Sequence, residues 1–435
     1  MRLDAMTGAV RLGVPASLPL EGTAARTHRG IFSSTALLHT ARSPQHLHRS
    51  TMTPTSTMMA FCLRPGCDTP VLEDEMPVPT PRPGEALIRV LRAGVCGTDL
   101  AMINQYKAGY EGPIGHEFVG IVQALGDTSD DSDTSWLGQR VVGEINVPCD
   151  DVQRCCVCRA YHARARKDAS SETRELAMMR YRNHCPNRDA LGIVGRAGAF
   201  AEYLTLPVAN LVRVPDHVPD SHAVFAEPVA AACRIVEQRI IQPTDSVVVL
   251  GDGRLGLLIA EVLAAHHVAA KISIVGKHTP KMALLDQIVD TKILYHPNLS
   301  ETHHGAFDVC VECTGTPAGL VTAVALVKPV GGCVIVKSTC ATKTSQLPAA
   351  DPTSGSRVRF IGSRCGPFEP AMELLASGRL QVDKYIEATF PLARAHDAVA
   401  RARQRGALKV QLVVADVDNH KGVNGVFTDA AVRGD

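Results

Sequence analysis

Residues 246–265 read SVVVLGDGRLGLLIAEVLAA, and no other stretch restricts the fold as tightly. The run SVVVL suits a short strand buried on both faces. Gly251, Gly253 and Gly256 follow at once, spaced G-x-G-x-x-G, and RLGLLIAEVLAA continues with helical periodicity. A strand, a glycine turn and a helix in that order begin a βαβ unit. The alternation then repeats through ISIVG (272–276), KMALLDQI (281–288), FDVCVECTG (307–315), AGLVTAVALV (318–327) and GGCVIVKS (331–338). Strands alternating with helices at this pitch predict an α/β region built on a parallel sheet.

The glycine series has chemistry as well as geometry. Gly251 permits the tight turn, Gly253 lets the backbone approach a pyrophosphate, and Gly256 allows helix and sheet to pack closely, with Leu255 beside them. The helix start then faces an anion, so the motif predicts dinucleotide binding. An acid about 20 residues further on would hold the ribose 2′-hydroxyl of NAD. Here the count reaches Gly276, Lys277 and His278, and no Asp or Glu occurs from Val268 to Leu285. A cation where a carboxylate is missing suits a 2′-phosphate, which favours NADP over NAD within an NAD(P) reading.

The part before residue 219 reads as strands and Gly-rich turns: EALIRVLRAGVCG (85–97), FVGIVQAL (118–125), QRVVGEI (139–145) and AFAEYLTLPVANLVRVP (199–215). HAVFAEPVAAACRIVEQRI (222–240) has helical periodicity, PAMELLASG (370–378) is helical again, and KVQLVVADV (409–417) is a closing strand.

Two short segments carry metal chemistry. GVCGTDL (94–100) holds Cys96, Thr98 and Asp99, and GHEFVG (115–120) holds His116 and Glu117. Cys and His are good zinc donors, and Glu117 adds an oxygen. A zinc site with an open position acts as a Lewis acid toward a hydroxyl, which alcohol oxidation requires. Thr98 is suited to relay the hydroxyl proton, and Asp99 to hold the second nitrogen of His116. Taken singly, a Cys beside a glycine turn is usually a small buried hydrophobe.

GVCGTDL, GHEFVG, a cysteine cluster, NHCPNR (183–188), AEPVAAA (226–232) and GDGRLG (251–256), in that order, resemble the zinc-dependent medium-chain alcohol dehydrogenase family. The resemblance covers residues 61–417. It implies a GroES-like, mostly β catalytic domain with a Rossmann doubly wound domain inserted into it. The boundaries it implies are 59–218 and 351–418 for the catalytic domain and 219–350 for the Rossmann domain. It assigns Cys96, His116 and Glu117 to a catalytic zinc, with Thr98 as hydroxyl relay. It places the remaining ligand position on Glu227, as in the polyol and sugar dehydrogenase branch. The relay His found in many members is replaced by Ala101. Homodimers or homotetramers are implied.

The same resemblance reads 149–185 as a structural zinc lobe. The family spacing C-x2-C-x2-C-x7-C is stretched here to Cys149-x5-Cys155-x2-Cys158-x26-Cys185. Tetrahedral thiolate coordination fixes distances to the metal and not sequence gaps, and doubling a loop costs only ~0.6 kcal/mol of closure entropy. Cys156 in place of Cys155, and an empty lobe, are open alternatives. The 159–182 insertion carries seven Arg or Lys against three acids, the mark of a solvated helix or disorder.

With 14 cysteines, no secretory apolar segment and clustering in one place, the chain suggests a reducing compartment and metal over disulfides. A net charge of +1 gives no global field for nucleic acid or a membrane surface, and no apolar run reaches the ~18 residues of a spanning helix. Residues 22–67 hold no Asp or Glu but five Arg, with many Ser and Thr, as an organellar transit peptide does. The expectation is therefore an extension over 1–58 directing the chain to mitochondrion or chloroplast, and a cytoplasmic protein otherwise. A flexible tail is expected over 419–435. The functional reading is hydride transfer between an alcohol, polyol or sugar hydroxyl and NAD(P). The competing readings are a zinc-free quinone or enone reductase and a catalytically silent zinc- or nucleotide-binding protein.

Overall fold

The computed structural model describes residues 57–67, 69–107, 109–126, 131–165, 183–338 and 357–415. The expected N-terminal extension up to residue 56, most of the 159–182 insertion and the 419–435 tail lie outside the described residues. The extension was expected to reach residue 58. Instead Thr57–Leu63 is a strand, and Met58 is buried in it.

Six strands form one all-parallel sheet in the order Thr291–Leu294, Lys271–Gly276, Ser246–Leu250, Val309–Glu312, Val330–Val336, Arg357–Gly362. Numbered along the chain, that order is 3-2-1-4-5-6, the doubly wound Rossmann arrangement. The order reverses between Ser246–Leu250 and Val309–Glu312, so a crevice opens at their C-terminal ends. Val247, Val249, Val309 and Val311 join the core with Leu257 and Leu258 of the Arg254–Ala265 helix. Apolar residues on both faces of a strand require helices on both faces, which the βα alternation supplies.

The other large sheet has seven strands. Its path runs Leu211–Arg213, Arg140–Gly143, Glu117–Leu125, Glu85–Val95, Lys409–Val413, Ile386–Pro391, and Tyr203–Pro207 pairs with Glu85–Val95 off that path. The closing strand therefore returns to the first half of the chain: Val410 pairs with Val95 and Leu412 with Ala93, antiparallel.

Three expectations need correction. Residues 351–418 were assigned to the catalytic domain, but Arg357–Gly362 is the sixth strand of the parallel sheet. A single half-exposed strand carries no sign of which sheet will accept it; its pairing with Val330–Val336 is a non-local choice. KMALLDQI forms helix only as part of Thr279–Ala283, and turns replace the rest up to Asp290. The four-residue strand Thr291–Leu294 was not anticipated, because with alternating half-exposed and exposed residues it carries little apolar signal. No helix among the described residues is long and apolar enough to cross a membrane.

Candidate active site

Glu85–Val95 ends in Cys96, which starts the Gly97–Ile103 helix. Asp99 sits in its first turn, fully buried, and its Oδ2 accepts the backbone N–H of Cys96 at 2.7 Å. Its other oxygen, Oδ1, lies 3.0 Å from His116 Nδ1. A carboxylate only accepts, so the proton is on Nδ1 and Nε2 is left as a lone-pair donor. One aspartate thus caps the helix that carries Cys96 and fixes the tautomer of His116.

Glu117 begins the adjacent Glu117–Leu125 strand, His116 stands immediately before it, and both are buried. Donor atoms of Cys96, His116 and Glu117 all lie within 4.8 Å of one another. Glu117 Oε2 accepts from Lys409 Nζ, brought in by the closing strand, while Oε1 is buried and has no hydrogen-bond partner among the described residues. An orphaned buried carboxylate oxygen beside a thiol and an imidazole nitrogen is the donor set of a cation site. The close quarters require Gly94, where a Cβ would stand 2.2 Å from Glu117 Oε2.

Thr98 lines the same cleft, as does Ala101 at the position of the absent relay His. Glu227 is half-buried in the first turn of Ala226–Glu237 and also lines the cleft, but it lies outside the three-donor group. Burial chiefly pushes its carboxyl up to about 7, with His116 acting against that shift.

The cleft, of about 630 Å³, continues to the glycine loop through Gly253, Arg254 and Leu255. Gly251 has φ +119°, and a Cβ on Gly256 would stand 2.0 Å from the Gly251 carbonyl oxygen, so neither position admits a side chain. Gly253 caps the Arg254–Ala265 helix at the point of the crevice. The end of the second strand holds a feature that counting along the chain missed. Buried Asp252, inside the glycine loop, accepts at Oδ2 the N–H groups of Lys277 (2.9 Å) and His278 (2.7 Å), and lies 3.0 Å from His278 Nδ1. Lys277 Nζ lies 4.9 Å from the centre of the Tyr295 ring.

The four cysteines of the stretched lobe come together. Sulfur separations are 3.5 Å for Cys149–Cys185, 3.7 Å for Cys149–Cys158, and 3.8 Å for Cys155–Cys185 and Cys158–Cys185. All four are free thiols. Four sulfurs at ~2.3 Å from a tetrahedral zinc would be about 3.8 Å apart, whereas a disulfide needs ~2.05 Å. The spacing thus fits a tetrahedral ion. Cys155 is buried in the cluster and its neighbour Cys156 is exposed outside it.

Residues 82–216 match the alcohol dehydrogenase GroES-like domain. The L-threonine 3-dehydrogenase of Stenotrophomonas maltophilia is 31% identical over 259 residues, covering 56% of this chain and 67% of that protein. The starvation-sensing protein RspB of Escherichia coli is 25% identical, covering 76% of this chain and 91% of RspB. Among solved structures, the alcohol dehydrogenase TADH of Thermus sp. superposes with a TM-score of 0.67 at 26% identity, covering 82% of this chain and 100% of that one. A candidate zinc-binding dehydrogenase from Sinorhizobium meliloti, solved with NADP bound, gives 0.69 at 25% identity, covering 82% and 100%.

Proposed function

Because this chain belongs to the zinc-dependent medium-chain dehydrogenase family, we propose that Cys96, His116 and Glu117 hold its catalytic zinc and that the glycine loop holds its dinucleotide. The protein is an oxidoreductase acting on CH–OH donors, with hydride passing between an alcohol and a nicotinamide cofactor. One observation carries the site assignment: Glu117 Oε1 is buried and unpartnered beside Cys96 and His116, in the cleft that the glycine loop also lines. That donor set argues against the zinc-free reductase reading, which has no use for three clustered ligands.

Zinc, when bound, would supply a Lewis acid that makes the substrate hydroxyl easier to deprotonate, and a bound nicotinamide would supply the hydride acceptor. The chain's own residues do the rest. Asp99 holds the His116 ring so that Nε2 faces the cluster. Lys409 engages one oxygen of Glu117, leaving the other free to ligate. Thr98 Oγ1, at the cleft wall, takes the hydroxyl proton and passes it to water, since Ala101 provides no onward side chain. Glu227, also at the cleft wall, would serve as the remaining ligand position. Cys149, Cys155, Cys158 and Cys185 hold a second, structural zinc.

The finer assignments are part of the same proposal. NADP is the favoured cofactor, on Lys277 and His278 and the lack of an acid in that turn. Asp252 reaches the turn, but its Oδ2 is already occupied by three nitrogen donors. The substrate is an alcohol, polyol or sugar, as L-threonine is for the Stenotrophomonas relative. A homodimer or homotetramer and an organellar location complete the reading. The deciding experiment is a panel of alcohols, polyols and sugars run with both cofactors on the zinc-loaded protein. Turnover with at least one alcohol supports the reading, and none across the panel removes it.

A further inference from the structure

The cleft wall has an electrostatic imbalance that the zinc and dinucleotide sites do not account for. Six Lys or Arg line it against two Glu, Glu117 and Glu227. Lys409 is matched to Glu117, and Arg254 lies at the start of the glycine-loop helix, where dinucleotide phosphates belong. Lys107, Arg188, Lys337 and Arg364 remain, and of these only Lys337 is buried. Lys337, at the end of the fifth parallel strand, is only 6% exposed. Its Nζ donates to the Arg364 carbonyl and forms no ion pair among the described residues. Arg188 donates to Asn146 Oδ1 at 2.9 Å and to the Cys185 carbonyl at 3.2 Å, again with no carboxylate. Glu227, on the same wall, acts on Lys337 through its charge but forms no ion pair with it.

An ammonium group nine-tenths buried, with a carbonyl as its hydrogen-bond partner and no carboxylate in contact, is costly unless a counter-ion arrives. Burial lowers the pKa of Lys337 to about 8, which leaves it mostly protonated at neutral pH. Lys337 thus has no carboxylate in contact, although Glu227 on the same wall acts on it from further off.

We propose that the substrate is a hydroxy acid, its carboxylate bound by Lys337 with Arg188 and Arg364 beside it while its hydroxyl reaches the Cys96–His116–Glu117 centre. The proposal rests on the dehydrogenase reading above and narrows its substrate class. A carboxylate matches the buried ammonium of the cleft that lacks an ion pair, and the arginine forks at the more open rim would hold it from outside.

The test compares four- to six-carbon hydroxy acids with their neutral alcohol counterparts, using zinc-loaded wild-type protein and Lys337→Met. In wild type the hydroxy acids should be preferred. In Lys337→Met their kcat/KM should fall about thirtyfold or more, mainly through KM, with neutral alcohols within about threefold. Calorimetric titration of the same hydroxy acids into protein saturated with NADPH reads binding without turnover. Binding that wild type shows and Lys337→Met loses supports the proposal. Preference for neutral alcohols, equal loss on both classes, tighter binding of hydroxyalkyl phosphates, or weaker NADPH binding by the variant would each overturn it. Neutral alcohols turned over by a protein that binds no hydroxy acid would sink this proposal alone and leave the dehydrogenase reading standing. Because methionine fills the space of the lysine stem, a folded variant is expected, and Lys337→Arg should restore part of the hydroxy acid preference.

Discussion

Asp252 Oδ2 accepts the backbone N–H of His278 at 2.7 Å, joining the glycine loop to the turn after the second parallel strand, 26 residues later. The two ends of the proposed dinucleotide site are thereby one unit. A Cβ on Gly276 would stand 2.6 Å from Asp252 Cβ, so the pairing also explains why that strand ends in glycine. Asp252→Ala removes the acceptor shared by three nitrogen donors, and unsatisfied buried donors cost roughly 1–3 kcal/mol. The expected outcome is that much loss in denaturant unfolding, together with weaker binding of both NADH and NADPH in a fluorescence titration. Unchanged binding of both cofactors would dissociate the turn from the site.

Lys277 bears on the cofactor choice itself. Its ammonium stands over the Tyr295 ring at the rim of the turn, where a 2′-phosphate would sit. Lys277→Ala should weaken NADPH about tenfold while leaving NADH nearly unchanged, since an exposed charge-assisted contact is worth on the order of 1.4 kcal/mol. Tighter NADH than NADPH binding in the wild type would reverse the assignment.

Cys96→Ser should abolish alcohol oxidation and lower the zinc content by one ion per chain without unfolding the protein, because the position lies at a helix start and not in the core. Asp99→Asn should keep the fold but cost 10- to 100-fold in activity or metal affinity, roughly the range for a residue that orients a ligand. Circular dichroism separates these outcomes from misfolding, and full activity in Cys96→Ser would refute the site.

Metal analysis of the wild type should give close to two zinc ions per chain, matching the two donor groups. Cys185→Ser should remove one of them and lower the melting temperature, whereas Cys156→Ser should change neither, being exposed and outside the sulfur cluster. A wild-type value of one, unchanged by Cys185→Ser, would mean that the stretched lobe is empty.

Lys409→Met would leave Glu117 buried with neither oxygen engaged. Breaking a buried ion pair by removing one partner costs about 3–5 kcal/mol, so the apoprotein should unfold at clearly lower denaturant concentration. Zinc should return part of that stability, because a cation again compensates the carboxylate. Equal stability of variant and wild type without metal would mean the pair contributes nothing net.

The sequence by itself determined what local pattern and residue chemistry control. SVVVLGDGRLG could only turn from strand to helix over a gap narrow enough to exclude side chains, and the βα alternation after it could only bury its apolar runs in a parallel sheet. The soft donors at Cys96 and His116, and the four cysteines, were legible because few other roles use those types together. Tertiary structure decided what depends on residues meeting from far along the chain. It paired Arg357–Gly362 with the parallel sheet and brought Lys409 onto Glu117 from 292 residues away. It supplied the second-strand turn with an acid from the glycine loop, chose Cys155 over Cys156, and set Lys337 in the cleft wall without an ion pair among the described residues. No periodicity encodes these pairings. They follow from which strands pair and in which register, because shifting a strand by one residue sends its side chains to the other face.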